Sequence, residues 1–263
     1  MDFEKIFKDI NIKQEDNICL TVDLLNFIKI EENVDLKKIS LHLLGFLKEY
    51  FSNGGSLIIP AFNWDFCKTN FYHQKYSKSK VGAFSNIVLN DKSFARSDHA
   101  IYSFMVYGLL KDELLNNKCT DAFSKNSFIA EIIEKKFKHV LFTKDLRDGY
   151  FAVHYSEQYI GVDYRYIKTF EGDYVDQDNN KLKRSFSMFV RKDESKKWLI
   201  KKTNRKVNTV ICDSFEQKLS VLNAYNYYNI NSIPIHVIDL NKANKLLIDS
   251  LKNNKCLIFP RYK

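Results

Sequence analysis

With 263 residues and a hydrophobic content of 45%, the chain can form one large domain with a substantial core, and only 8 glycines and 3 prolines exclude a low-complexity protein. No apolar run is long enough to span a bilayer and the N-terminus lacks a signal-peptide pattern, so we expect a cytoplasmic protein. The net charge of +9 favours anionic partners: nucleic acid, acidic lipid or phosphate-bearing small molecules.

Five cysteines are spread along the chain without a Cys-x-x-Cys pair or an accompanying histidine cluster. An odd number of isolated cysteines is typical of reduced thiols in a cytoplasmic protein, not of disulfides or zinc ligands. We therefore expect neither a disulfide framework nor a metal site.

The first sixty residues predict an alternation of helices and strands. A short amphipathic helix over residues 2–10 precedes a buried strand over Asn17–Asp23. Asp35 is placed to cap a helix over Leu36–Phe51, and Ser56–Pro60 has the composition of a second buried strand. This order predicts an α/β fold, a three-layer architecture in which a mixed, partly antiparallel sheet carries helices on both faces.

Ligand contacts are expected beyond the carboxyl ends of these strands, where open α/β sheets place their sites. Asp23 ends the first strand, and a polar and aromatic stretch over residues 61–80 follows the second. We therefore predict that Asp23, Asn63 and Trp64 contact a substrate.

The rest of the sequence predicts a single domain over residues 1–263. Residues 172–212 alternate between polar and apolar runs, which indicates antiparallel strands that form a β-rich insertion or lid. The other predicted elements are helices that begin near Phe84 and Ser127, strands over Phe137–Thr143, Asp163–Phe170 and Ile235–Ile238, helices over Phe215–Tyr228 and Asn241–Lys252, and a terminal edge strand over Leu257–Phe259.

Two polar segments in the middle of the chain have the chemistry of anion sites. Ser79-Lys80-Val81-Gly82 precedes a helical segment, so its backbone N–H groups and the lysine ammonium could contact a phosphate. Arg96-Ser97-Asp98-His99 stands ahead of a segment that we predict to be an apolar helix. This second cluster fits either a ligand site or a helix cap with Ser97 or Asp98 at the N-cap and Arg96 in solvent, and the two can coexist.

The segment Phe151–Glu157 has the residues of a general base. If it is helical from Val153 onward, His154 and Glu157 lie on one face, because side chains three positions apart are neighbours on a helix. A carboxylate bound to one imidazole nitrogen fixes the tautomer and leaves the other nitrogen free to accept a proton. The alternative is a surface His–Glu pair at a helix start.

Several common enzyme classes lack their motifs in this sequence. It contains no P-loop, Gly-x-Gly-x-x-Gly, Gly-x-Ser-x-Gly or His-Glu-x-x-His pattern, which argues against kinases, Rossmann dehydrogenases, classical hydrolases and zincins. A histidine base together with two anion-binding segments instead suits acyl transfer from a phosphate-bearing donor to an amine.

In their order and spacing these segments resemble the aminoglycoside 3-N-acetyltransferase family, whose antibiotic N-acetyltransferase fold is unrelated to the GNAT fold. The resemblance is collinear over residues 15–175 and is loose over the last third of the chain. It rests on Gly55–Trp64, Ser79–Gly82, Arg96–His99, Ser103, Phe123–Ser127, His154–Glu157 and Tyr164–Lys168.

The resemblance implies acetyl-CoA or another acyl-CoA as the donor, with His154 as the general base and Glu157 as the residue that orients it. We expect direct transfer in a ternary complex, without an acyl-enzyme. The implied coenzyme contacts are Ser79, Lys80, Val81, Gly82, Arg96, Ser97, His99, Ser103 and Ser127, the last near the thioester carbonyl. Asp98 and Arg165 join the predicted substrate contacts.

The net charge bears on the acceptor. Aminoglycosides are polycations and require an acidic pocket, whereas the diphosphate of a nucleotide-linked amino sugar suits surplus lysine and arginine. We therefore predict a sugar N-acyltransferase that acts on a nucleotide-linked amino sugar in the biosynthesis of a surface glycan such as lipopolysaccharide or capsule. Aminoglycoside modification is the alternative.

A nucleic-acid-binding protein is the alternative from a different class. Residues 191–206 carry eight basic residues against Asp193 and Glu194, with Trp198 among them. This pattern fits either a nucleic-acid-binding face, whose affinity would fall steeply with salt, or a solvated hairpin.

Overall fold

A computed structural model of the protein describes residues 1–28, 35–195 and 213–253. Its strands are β1 (Asn17–Val22), β2 (Ser56–Pro60), β3 (Phe71–His73), β4 (Ala95–Arg96), β5 (Phe104–Gly108), β6 (Lys138–Phe142), β7 (Arg165–Val175), β8 (Lys181–Arg191), β9 (Tyr225–Ile230) and β10 (Ile233–Asp239). Its α-helices are α1 (Phe3–Asp9), α2 (Leu25–Ile28), α3 (Leu36–Tyr50), α4 (Phe66–Thr69), α5 (Ala83–Val88), α6 (Lys111–Leu115), α7 (Phe128–Glu134), α8 (Val153–Ile160), α9 (Asp213–Val221) and α10 (Leu240–Lys252), and Leu146–Asp148 forms a 3-10 turn.

A mixed seven-stranded sheet forms the middle layer, in the order β4-β5-β2-β1-β6-β10-β9. Strand β1 runs parallel to both β2 and β6, and the other pairs are antiparallel. Every residue of β2 is buried, as expected for a central strand that is covered on both faces. Because these three parallel strands end at the same edge, the segments that follow Val22, Pro60 and Phe142 meet there.

Helices cover both faces of this sheet. Alternation along β1 sends Cys19 into one hydrophobic cluster, with residues of α7, α8 and α10, and Ile18 and Leu20 into the other, with residues of α1, α3 and α5. Asp35 caps α3 by accepting hydrogen bonds from the amides of Lys37 and Lys38. The predicted three-layer α/β fold is confirmed.

A second sheet, in the order β3-β7-β8, consists mainly of a long antiparallel hairpin. The hairpin contains residues 172–191 of the predicted β-rich insertion, but β7 begins earlier, at Arg165. Arg165 lies directly opposite Arg191 at the base of the hairpin. This register brings two guanidinium groups together from positions 26 residues apart.

The helix predicted after His99 is wrong. The chain reverses over Ser97–Ser103, where the Ser97 amide donates to the Phe104 carbonyl at 2.8 Å and the Ser97 hydroxyl accepts from the Phe104 amide at 2.8 Å. The residues that follow form β5, which pairs with β2 and β4. Cross-strand pairing therefore overrides the local apolar pattern.

The predicted helix over Phe215–Tyr228 is too long at its C-terminal end. Helix α9 ends at Val221, and Asn223 turns the chain with a left-handed φ of 49°. The tyrosine-rich residues that follow form β9, an edge strand paired with β10. Tyrosine is enriched in strands and asparagine adopts left-handed conformations readily, so two local preferences end the helix here.

The last predicted strand, Leu257–Phe259, and most of the basic stretch over residues 191–206, including Trp198, lie outside the described residues. In the described part of the chain, no helix combines the length and apolar character needed to cross a membrane.

Candidate active site

His154 and Glu157 lie on one face of α8, as predicted. His154 Nδ1 is 2.8 Å from Glu157 Oε2, and the Glu157 side chain is fully buried, whereas that of His154 keeps 12% of its surface exposed. The pair is therefore not a surface feature. Because the carboxylate holds Nδ1–H, the lone pair of Nε2 is the position at which this histidine can take a proton.

Three further side chains surround the Glu157 carboxylate. Arg165 Nε lies 2.7 Å from Oε2, the Tyr164 hydroxyl donates to Oε1 at 2.9 Å, and an Arg191 amino group lies 3.9 Å from Oε1. The Arg191 guanidinium also stacks on the Tyr164 ring at 4.8 Å. The two arginines come from the base of the β7–β8 hairpin, so the second sheet completes the surroundings of the histidine.

These contacts keep Glu157 ionised. Burial alone raises the pKa of the Glu157 carboxyl, but the Arg165 charge, the His154 hydrogen bond and the Arg191 charge outweigh it and bring the pKa to about 2. The carboxylate thus remains a hydrogen-bond acceptor for the imidazole at every physiological pH.

The same surroundings keep His154 neutral. Burial lowers the pKa of the imidazole and the Arg165 charge lowers it further, against the opposing effect of Glu157, so the net shift is downward from the ordinary value of 6.5. A neutral imidazole is the protonation state that a general base requires.

His154 forms part of the wall of a cavity of about 660 Å³. The cavity lies where the ends of β1, β2 and β6 meet, and its lining is mainly apolar and aromatic, which suits a small-molecule site. Five basic residues and one acidic residue also line it: Lys68, Lys80, Arg147, Arg165, Arg191 and Asp148. Four of these five basic residues have a carboxylate partner, namely Asp65 for Lys80, Asp145 for Arg147, and Glu157 for both Arg165 and Arg191.

The predicted anion turn borders this cavity. Lys80 and Val81 line it, and Gly82, the N-cap of α5, has a φ of 128°, which residues with a side chain rarely adopt. Ser79 is buried and instead stabilises the turn, because its hydroxyl accepts from the Val81 amide at 3.2 Å.

Arg96 is buried within the protein, which argues against the alternative in which its guanidinium lies in solvent. Its guanidinium donates to the Ser103 hydroxyl at 2.9 Å and to the carbonyls of Ala61 (2.6 Å), Ser77 (2.6 Å) and Gln74 (3.2 Å). The Ser103 hydroxyl donates to the Ala61 carbonyl at 2.9 Å. These bonds hold the loop after β2, so we leave Arg96, Ser97 and Ser103 out of the proposed coenzyme site.

Asp98 and His99 also bind protein groups. The Asp98 carboxylate accepts from the Tyr174 hydroxyl at 2.6 Å and from Arg184 at 2.5 Å. His99 Nδ1 accepts from the amides of Ile101 and Tyr102, and burial lowers the pKa of its imidazole to about 3. Neither residue lines the cavity, so we assign both a structural role.

The other predicted contacts fall in different places. Trp64 and Arg165 line the cavity with His154, although Arg165 is engaged by Glu157. Asn63 is buried and bridges the Lys78 carbonyl and the Phe66 amide. Asp23 is exposed and lines a neighbouring cavity. Ser127 is buried, and its hydroxyl caps α7 by accepting from the Ala130 amide at 3.1 Å.

Sequence reasoning missed Tyr164 and Arg191. Tyr164 stands seven residues after Glu157, a spacing that gives no local signal of a contact between the two side chains. In the sequence, Arg191 is one of eight basic residues over positions 191–206, and nothing local distinguishes it from the others. The cross-strand position opposite Arg165 gives it a place at the site, and that register becomes visible only in the folded sheet.

Comparison with known proteins gives a consistent result. The family model of the aminoglycoside 3-N-acetyltransferases matches residues 36–248. One similar solved structure is AAC-VIa bound to sisomicin, with a TM-score of 0.73, 13% sequence identity and 96% of each chain covered. A second is AAC-IIIb in a binary complex with CoASH, with a TM-score of 0.72, 12% identity, and 98% of this chain and 96% of that chain covered. A third is the YokD protein from Bacillus subtilis, with a TM-score of 0.70, 14% identity, and 95% of this chain and 97% of that chain covered. No curated protein sequence matches the chain. At these identities the structures show a shared fold.

The family match defines the class of protein, an N-acyltransferase. The chain belongs to the aminoglycoside 3-N-acetyltransferase family, since the family model covers well over half of its length.

Proposed function

We propose that this enzyme acylates the amine of a nucleotide-linked amino sugar, with His154 as the general base. The observation that carries the mechanism is the bond of 2.8 Å between His154 Nδ1 and Glu157, which leaves Nε2 to accept the proton that the amine loses as it attacks the thioester carbonyl. The proton passes to the imidazole, the acyl group moves from sulfur to nitrogen, and CoA leaves as the thiol. The transfer is direct, without an acyl-enzyme.

The charge of the cavity supports an anionic acceptor. Lys68, Lys80, Arg147 and Arg191 line it with a single carboxylate, that of Asp148, among the described lining residues. Most of the basic side chains at the cavity are paired with carboxylates, and with those partners counted the cavity retains a small positive excess, which favours a diphosphate over a polycation. Lys80 with Val81 and Gly82 is the proposed contact of the coenzyme, whose phosphates draw on the same basic surface. An amino sugar on a nucleotide carrier is an intermediate of surface-glycan biosynthesis.

An aminoglycoside is the second candidate acceptor. It is supported by the family itself and by the structural similarity to AAC-VIa, which was solved with sisomicin bound. The carboxylates of Asp148 and of Asp23 in the adjoining cavity are the groups that would meet its ammonium ions.

Release of CoA thiol separates the two acceptors. With acetyl-CoA as donor, we expect thiol release with UDP- or dTDP-linked amino sugars and little or none with sisomicin at the same concentration. A matched reaction with the same sugar nucleotide lacking an amine controls for hydrolysis of the thioester. Release with sisomicin alone would overturn the proposed acceptor and leave the enzyme class unchanged.

The pH dependence of turnover follows from the lowered pKa of His154. The base is active when neutral, so with both substrates saturating, kcat should fall as the pH is lowered and reach half its maximum below pH 6.5, because burial and Arg165 move the pKa of this group below the ordinary value of 6.5. The measurement is a kcat profile between pH 5 and 8.5. A profile that is already at half its maximum at pH 7 or above would contradict the assignment.

A further inference from the structure

Thr21 and His139 form a second polar pair at the cavity. Thr21 Oγ1 lies 2.9 Å from His139 Nε2. Thr21 lines both the cavity that holds His154 and the neighbouring cavity of about 580 Å³ that holds Asp23. The pair follows from the register of β1 and β6, in which Cys19 stands opposite His139 and Thr21, two residues further on, projects from the same face of the sheet.

The surroundings fix the orientation of both side chains. His139 is fully buried and packs against the ring of Phe151 at a centroid distance of 5.0 Å. Thr21 lies under Gly149, where an added Cβ would stand 2.9 Å from the threonine methyl group. The methyl group thus occupies the space that glycine leaves open, and the hydroxyl remains on the side of the imidazole.

The direction of the hydrogen bond decides what Thr21 can offer a ligand. His139 Nδ1 is buried and has no hydrogen-bond partner among the described residues. A buried N–H without an acceptor is rarer and more costly than an unused lone pair, so the proton of the neutral ring belongs on Nε2. Nε2–H then donates to Thr21 Oγ1, and the hydroxyl hydrogen of Thr21 is not used on the imidazole. In the described part of the chain it has no other acceptor.

We propose that the Thr21 hydroxyl donates a hydrogen bond to an oxygen of a bound substrate, with His139 as the positioning residue that sets this polarity. The inference rests on the proposed function in one respect, since the ligand is the acyl-CoA or the amine acceptor. Carbonyl, phosphate and hydroxyl oxygens share the required chemistry. With the opposite polarity, the hydroxyl would donate to His139 and present only lone pairs to the cavity.

The tautomer of His139 tests the polarity without any turnover. In protein labelled with ¹⁵N-histidine, a long-range ¹H–¹⁵N correlation spectrum distinguishes the two ring nitrogens, and the His139→Gln variant assigns the signal among the six histidines. We expect the proton on Nε2 and a bare Nδ1 from pH 6 to 8. A proton on Nδ1 would overturn the proposal.

Three variants test the ligand contact. Thr21→Val removes the hydroxyl at nearly constant volume, Thr21→Ser retains it, and Thr169→Val removes an exposed hydroxyl on β7 that bonds to Ser187. In Thr21→Val, the loss of one hydrogen bond to a ligand should change one constant, the Kd for CoA, the KM for the acceptor or kcat, by about 3- to 10-fold in the unfavourable direction. Thr21→Ser and Thr169→Val should stay within twofold of the wild type.

The affected constant identifies the ligand. A weaker Kd for CoA, measured by calorimetry without acceptor, assigns the contact to the coenzyme. A raised acceptor KM alone assigns it to the acceptor, and a reduced kcat alone assigns it to the reacting carbonyl. If all three constants are unchanged in Thr21→Val, or if Thr21→Ser falls as far, the proposal is wrong. If no acceptor tested is acylated, the proposed acceptor fails while CoA binding and the tautomer still decide this inference.

Discussion

The His154→Ala variant is expected to turn over about 10²–10⁴-fold more slowly than the wild-type enzyme, which is the usual contribution of a general base. The side chain removed lines the cavity and is held by Glu157 through Nδ1, so Nε2 is the nitrogen that takes the proton in the proposed mechanism. The measurement is kcat from CoA thiol release at saturating acetyl-CoA and acceptor. CoA affinity should change little, because the loss is one of proton transfer and not of coenzyme contacts.

His42→Ala is the matched control for this variant. His42 is an exposed histidine on α3, which covers the opposite face of the central sheet from α8. It should retain wild-type turnover. If His154→Ala also retains a rate close to that of the wild type while remaining folded, the base lies elsewhere and the proposed mechanism is wrong.

The Glu157→Gln variant is expected to lose both stability and activity. It removes the single carboxylate that Arg165 and His154 share at 2.7 and 2.8 Å, and with it the negative charge that faces the buried Arg165 guanidinium. Breaking a buried pair of this kind typically destabilises a protein by about 3–5 kcal/mol. For a domain of this size that corresponds to a fall in Tm on the order of 10 °C.

The activity of Glu157→Gln should fall less than that of His154→Ala, because the base remains and only its tautomer and orientation are disturbed. Thermal unfolding and kcat should be measured on the same preparation. Glu113→Gln is the control, since Glu113 forms a more exposed ion pair with Lys135 and such pairs contribute about 0–1 kcal/mol. A Tm equal to that of Glu113→Gln would show that the Glu157 cluster does not stabilise the fold.

The sequence predicts best those elements in which the spacing of the apolar residues fits a single kind of secondary structure. Examples are the strand Ser56–Pro60, which is buried throughout, and the helix Leu36–Tyr50, which is capped by Asp35. The pair of His154 and Glu157 belongs to the same class, because a spacing of three residues within a helix determines the contact.

The parts that could not be predicted depend on pairing between distant segments. Arg96 is held by carbonyls of Ala61, Gln74 and Ser77, which only the folded loop after β2 brings around it. Four residues that look like a cap or an anion site in the sequence thus become an internal support. Arg191 shows the reverse case, in which a residue from a generic basic stretch reaches the site through strand register.

The net charge does not identify individual contacts. The excess of basic residues does recur in the lining of the cavity. Arg165, however, which we predicted to contact substrate, is bound to the carboxylate that orients His154. Buried beside the ionised Glu157, the Arg165 guanidinium lowers the pKa values of Glu157 and His154. The sequence alone does not reveal that these three side chains lie together.

The most direct test of the central claim is an experimental structure of the protein with CoA and UDP or dTDP bound. The account predicts that the CoA sulfur lies in the cavity within hydrogen-bond reach of His154 Nε2, with the nucleotide diphosphate on basic residues of the same cavity. A coenzyme bound at another surface, with its sulfur remote from His154, would contradict it.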